Sequence, residues 1–377
     1  MLSTAVPKAG PGVLVSFLIA GLAAGLSAIC YAELASTIPV SGSTCSYAYA
    51  TLGELAAMGI AACLLLEYGV STAAVAVGWS GYLNTLLHDL FGFELPYALS
   101  HAPDSVSDAG VRGVVNLPAV VLIGLCALLL VRGASESAAA NAVMVIVKLG
   151  VLALFVVIAL TAFRAGNFSP FLPLGFSGVG AAAGTIFFSF IGLDAVSTAG
   201  EEVKDPQRTM PRAILAALGI VVVFYLLVAG AAIGAQRWTD FEGQEAGLAL
   251  ILQHVTGSTV PGIVLAAGAV VSIFSVTLVT LYGQTRILFA MGRDGMLPQR
   301  FARVDPRTLT PTFNTVVVAA AVAVLAALVP LSVLSDVTSI GTLAAFIVVA
   351  IGVMVLRRTA PDLPRGFRVP GYPVTRC

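Results

Sequence analysis

Nine stretches of this chain are apolar over roughly the length that crosses a bilayer, with approximate limits 12–34, 55–87, 114–131, 141–163, 177–200, 212–235, 258–290, 313–330 and 337–356. Lipid offers no partner to an exposed peptide group, so each stretch is predicted to be a helix that satisfies its own backbone. Some runs exceed the minimum. A helix of about 33 residues would be near 50 Å long and must tilt or protrude. Only 10% of the residues are charged, where soluble domains carry about 25%, so a soluble globular fold is excluded.

Cations fix the orientation, because Lys and Arg collect on cytoplasmic loops. Placing the segments after the fifth and seventh spans inside puts thirteen of the nineteen Lys and Arg at cytoplasmic ends and leaves Lys8, Arg112, Arg164 and Arg237 outside. The C-terminus is then inside and, with nine spans, the N-terminus outside. An external start has no preceding span to deliver it, which is read as a missing upstream helix. The competing reading, a signal peptide cleaved near "CYAELAS", calls for a shorter apolar run than this one.

Nineteen acids balance nineteen bases, so no basic face exists to neutralise phosphates and no nucleic acid is expected as a partner. The five cysteines show no ligand spacing and read as small residues of apolar runs; no histidine lies within a predicted span, so no metal is expected. Neither HExxH nor GxSxG occurs, and no enzyme is expected. No linker or soluble module interrupts the chain, which reads as one membrane domain, 1–377. Nothing in it points to an oligomeric state.

Ionisable groups inside spans cost about 2.5–3.5 kcal/mol on insertion scales, so each needs a partner, a wet cavity or an escape to the interface. Glu67 lies about 20 Å into its span, too deep for a short carboxylate to snorkel; it is either an interhelical hydrogen-bond anchor or a functional acid. Lys148, seven residues beyond Asn141, either snorkels or exchanges a proton with a cavity. Asp194 follows Gly192 in "FFSFIGLDAVSTAGEEVKDPQRTMP". Glycine weakens a helix, so "IGLD" is either a break, whose freed backbone groups would bind substrate, or a close-packing surface. In the charged tail, Pro206 and Pro211 are expected to stop and restart helices.

The stretch "FFSFIGLDAVSTAGEEVKDPQRTMPRAI" resembles the sixth-helix signature of amino acid permeases of the amino acid-polyamine-organocation superfamily, cationic amino acid transporter branch. Collinear blocks, among them "LLLEYGVSTAAVAVGWSGYL", "NAVMVIVKLGVLALFV", "YGQTRILFAMGRDGMLP" and "RGFRVPGYP", extend the resemblance over nearly the whole chain. It implies an all-α polytopic membrane protein with two inverted five-helix repeats, helices one and six being broken at the midplane. On that frame the chain covers family helices two to ten and looks truncated at both ends.

The resemblance further implies secondary active transport of an amino acid by alternating access in a bacterial plasma membrane. A proton is the coupling ion and no other cofactor is involved. Backbone carbonyls of Phe188, Ser189 and Ile191 would receive the substrate ammonium; Phe190 stands where tyrosine is frequent, and Gly192 is the break glycine. Asp194 would organise or gate the break, Lys148 would take the place of a sodium ion and couple transport to protons, and Glu67 matches a helix-three acid. The alternative is a non-transporting permease fragment, or a membrane sensor or scaffold.

Overall fold

The computed structural model describes residues 2–370 except 39–46, 50–52, 108–109, 134–137, 193–195, 197–202, 245, 294, 296, 307 and 309. Among them the chain is helical, with only two isolated β-bridges. The helices are α1 (Leu2–Ala9), α2 (Val13–Thr37), α3 (Glu54–Phe91), α4 (Tyr97–Ser100), α5 (Leu117–Val131), α6 (Ala138–Thr161), α7 (Gly175–Phe187), α8 (Pro206–Ala235), α9 (Gly247–Thr256), α10 (Val260–Arg293), α11 (Thr312–Leu328) and α12 (Leu331–Thr359).

Each of the nine apolar stretches overlaps one of these helices, although the helix of the fifth, expected over 177–200, ends at Phe187. Six helical segments are long and apolar enough to cross a membrane by length and composition. The other three stretches are α5, α7 and α11, with 15, 13 and 17 residues, or about 20–26 Å at 1.5 Å per residue. Helix ends follow local chemistry. The Asn116 side chain accepts from Ala119 N at 3.2 Å to cap α5, and Gly92, in the left-handed region, closes α3.

One boundary differs from expectation. Helix α8 restarts at Pro206, after Asp205 at φ 51°, and Pro211 lies inside it. Proline suits the first position of a helix, where the N–H would be unused. Deeper in, Pro211 takes the helical donor from the Gln207 carbonyl. Gly366 packs on that carbonyl so closely that a Cβ at 366 would lie 2.3 Å from it. Of the cysteines, Cys63 is free and exposed and Cys126 free and buried, whereas Cys30 is disulfide-bonded, a pairing that the sequence spacing did not mark.

Two large cores organise the bundle, beside a small cluster of Ala48, Ile60, Leu64 and Tyr68. One joins α1, α2, α6, α7, α8 and α9, the other α3, α5, α10 and α11; α10 also gives Leu265 and Ala266 to the first, and α12 contributes Phe346 and Val349 to the first and Leu334 to the second. Because lipid is as apolar as leucine, helices in a bilayer associate through close packing and polar ties. Helix α2 accordingly buries the small residues Ala20, Gly21, Ala24 and Ala28; a Cβ at Gly21 would come within 3.1 Å of Val222 on α8. Helices α3 and α10 are tied by Gln284 Nε2 donating to Leu65 O at 2.8 Å, Thr72 Oγ1 to Thr280 Oγ1 at 3.0 Å, and Trp79 Nε1 to Val270 O at 2.9 Å.

Candidate functional site

Helix α7 ends at Phe187, passes through a 3-10 turn over Phe188–Phe190, and leaves helical geometry altogether at Ile191, with ψ 144°. Gly192 follows at φ 95°, a conformation that L side chains rarely adopt. The apolar run therefore breaks where "IGLD" offers its glycine. Gly192→Ala is expected to destabilise the protein by about 1–2 kcal/mol, read as a lowered melting temperature in detergent.

The break uncovers carbonyls, and one of them already has an unusual partner. Tyr225 on α8 donates its hydroxyl to Ser189 O at 2.6 Å. Its ring is held edge-on by Phe190, with centroids 5.4 Å apart and planes at 77°, and tilted against Phe17 at 5.7 Å. A side-chain hydroxyl from another helix thus stands in for the amide that a continuous helix would have supplied.

Above the break lies a cavity of about 860 Å³ that reaches Ser189 and Tyr225. Phe17, Val77, Leu152, Val228 and Leu248 give it apolar walls, and Ser100, His101, Asn116 and Gln244 supply polar groups. Tyr97, Ser107, Phe241, Gly243, Pro330 and Ser332 also line it, all external by the charge asymmetry. Among the described lining residues there is no Asp, Glu, Lys or Arg. His101 is stacked on Tyr97, with ring centroids 3.7 Å apart, and its Nδ1 lies 2.9 Å from Ser100 Oγ.

The opposite end of the bundle is tied shut around one carboxylate. Glu33, near the end of α2, is 1% exposed. Arg357 donates Nε to Glu33 Oε1 at 2.7 Å and Nη2 to Oε2, and Val369 N donates to Oε2 at 2.7 Å. Arg365 Nε stands 3.5 Å from Oε1. The Arg365 fork also holds Pro361 O at 2.7 Å and Ala360 O at 2.8 Å, while Phe367 N donates to Ser36 Oγ at 3.2 Å. The segment after α12 is thereby wrapped onto the end of α2. Such a buried, multiply hydrogen-bonded charge group stands or falls as a unit.

The residues singled out in the sequence are not all brought together. Ser189 lines the cavity, Phe188 and Phe190 complete the 3-10 turn with it, and Ile191 and Gly192 follow in non-helical backbone. Half-buried Lys148 lies four residues before the lining residue Leu152, one helical turn toward the cytoplasm on the same face of α6. Asp194 falls outside the described residues. Glu67 is 1% exposed and accepts from Thr342 Oγ1 at 2.6 Å, an α3–α12 tie. It precedes the lining residue Val77 by ten positions, about 15 Å along the helix.

Four participants were not singled out in the sequence: Tyr225, Glu33, Arg357 and Arg365. Tyr225 sits in an unbroken apolar run, where a tyrosine looks like any core aromatic. Glu33 and Arg357 are 324 positions apart, and Arg357 and Arg365 count equally well as cytoplasmic cations under the charge rule. The one local signal was an acid inside an apolar span end, "CYAELAS".

Comparison with known proteins places these features in a family. The model of the amino acid permease family matches residues 1–375. The chain is 43% identical over 371 residues to the branched-chain amino acid permease BcaP of Bacillus subtilis, covering 98% of this chain and 79% of the relative. It is 42% identical over 372 residues to the methylthioribose transporter of the same organism, covering 99% and 79%. It is also 35% identical over 359 residues to the vacuolar cationic amino acid transporter 4 of Arabidopsis thaliana, covering 94% and 58%.

Proposed function

Since this chain belongs to the amino acid permease family and carries amino acids across the membrane in which it is embedded, we propose that its substrate is a neutral, apolar amino acid moved by alternating access with a proton. The observation that carries the substrate class is the cavity: it ends at an opened backbone and offers no charged side chain among its described lining residues. A cationic side chain desolvated there would lack the carboxylate that its burial requires.

The substrate ammonium is assigned to the carbonyls of Phe188, Ser189 and Ile191. Its side chain lies among Phe17, Val77, Leu152, Val228 and Leu248. Lys148, one turn below Leu152, is assigned to proton coupling. Asp194 is assigned to organising the break. Glu67, tied to Thr342, acts by holding α3 to α12. The setting is the plasma membrane of a bacterium, supported by Bacillus relatives that the chain matches over 79% of their length.

Uptake of radiolabelled leucine into proteoliposomes of the 377-residue chain tests the substrate class. Isoleucine and valine are expected to compete with the label, and arginine and lysine at a hundredfold excess to leave it unchanged. Competition by arginine equal to that by isoleucine would overturn the reading. Methylthioribose, carried by a relative, is the appropriate polar competitor, and displacement by it alone would also overturn the reading.

A further inference from the structure

The charge asymmetry leaves four cations on the external side, and two of them converge. Arg164, just beyond α6, and Arg237, just beyond α8, line one cleft of about 320 Å³ together with Asn167, Gln236, Asp240 and His254. The cleft is held in shape by backbone. Arg164 N donates to Gly234 O at 2.9 Å, and Asn167 Nδ2 donates to the same oxygen at 2.8 Å. Any side chain at 234 would collide with the Phe163 ring, since a Cβ there would stand 2.1 Å from it.

Among the described residues neither guanidinium has an ion pair. Asp240 shares the cleft, but its Oδ1 accepts from Thr239 Oγ1 at 2.9 Å and leaves both arginines without a salt bridge. Below the cleft, α6 and α8 present exposed apolar faces. Helices α6 and α8 are each only 17% buried over their most apolar windows. Val157 and Leu160 on α6 and Val223 and Leu227 on α8 are exposed below it.

From this we propose that the cleft binds the phosphodiester of an anionic glycerophospholipid in the external leaflet. Its acyl chains lie along the exposed faces of α6 and α8. Guanidinium forks match phosphate oxygens in pairs, and Asn167, Gln236 and the His254 ring add polar contacts at the headgroup level. A second basic residue near a membrane surface strengthens headgroup binding by about fivefold, or ~1 kcal/mol. Inorganic phosphate shares the chemistry but gains nothing from the apolar faces.

Native mass spectrometry of the purified full chain, titrated with phosphatidylglycerol, phosphatidylcholine or inorganic phosphate, tests the proposal. One phosphatidylglycerol is expected to be retained per chain in preference to phosphatidylcholine, and millimolar phosphate is expected not to displace it. Arg164→Gln with Arg237→Gln should weaken retention about 25-fold, and either single variant about fivefold. Arg112→Gln, an external cation outside the cleft, should leave retention unchanged. Equal retention in the double variant, equal loss in Arg112→Gln, or displacement by phosphate would each overturn the assignment.

Discussion

Glu33→Ala is expected to lower leucine uptake in proteoliposomes by a hundredfold or more. Removing one partner from a buried ion pair leaves the other charges uncompensated, at about 3–5 kcal/mol, or roughly two to three and a half decades in a conformational equilibrium at ~1.4 kcal/mol each. On the orientation given by the charge asymmetry, the cavity lies at the external side and the cytoplasmic side is tied through Glu33, Arg357, Arg365 and Val369 N. Loss of the carboxylate penalises that state and favours the cytoplasmically open one. Arg357→Ala should be nearly as severe, and the double variant no worse than either single change, because the groups act as one unit. Uptake within twofold of wild type in Glu33→Ala would show that this knot is not part of the gate.

Lys148→Met is expected to uncouple uptake from the proton gradient without preventing exchange. With one proton per substrate, an external pH one unit below the internal pH supports about tenfold accumulation, equivalent to ~1.4 kcal/mol. The wild type should reach that ratio and lose it when the gradient is collapsed. In Lys148→Met the accumulation ratio should stay near one under either condition, while exchange of labelled for unlabelled leucine persists, since the lysine lies a helical turn below the lining residue Leu152. Gradient-driven accumulation that survives the substitution would remove Lys148 from the coupling role.

The legible part of the molecule is the part written in local runs. The nine apolar stretches hold helices because a bilayer leaves the backbone no other solution, and Gly192 marked "IGLD" as either a break or a packing surface, which its φ of 95° resolves as a break. The illegible part depends on partners distant in the chain. Glu33 meets Arg357 across 324 positions and Tyr225 meets Ser189 across 36, and neither pairing leaves a periodic or compositional trace. Pro211 illustrates a subtler limit. Its missing N–H reads as a helix boundary, yet the helix runs through it, and Gly366 packs on the carbonyl that it deprives of a donor. Glu67 is the mixed case: its depth in the span marked it as partnered, but only the folded chain shows that the partner is Thr342 on α12.

The amino acid is assigned to the cavity that ends at Ser189. Equilibrium binding of radiolabelled leucine to the purified protein, wild type against Leu152→Trp, tests it most directly. The indole would fill the apolar wall beside the break, so the account predicts saturable binding in the wild type and at least a tenfold loss in Leu152→Trp, with helicity and melting temperature retained. Undiminished leucine binding in a folded Leu152→Trp protein would contradict it.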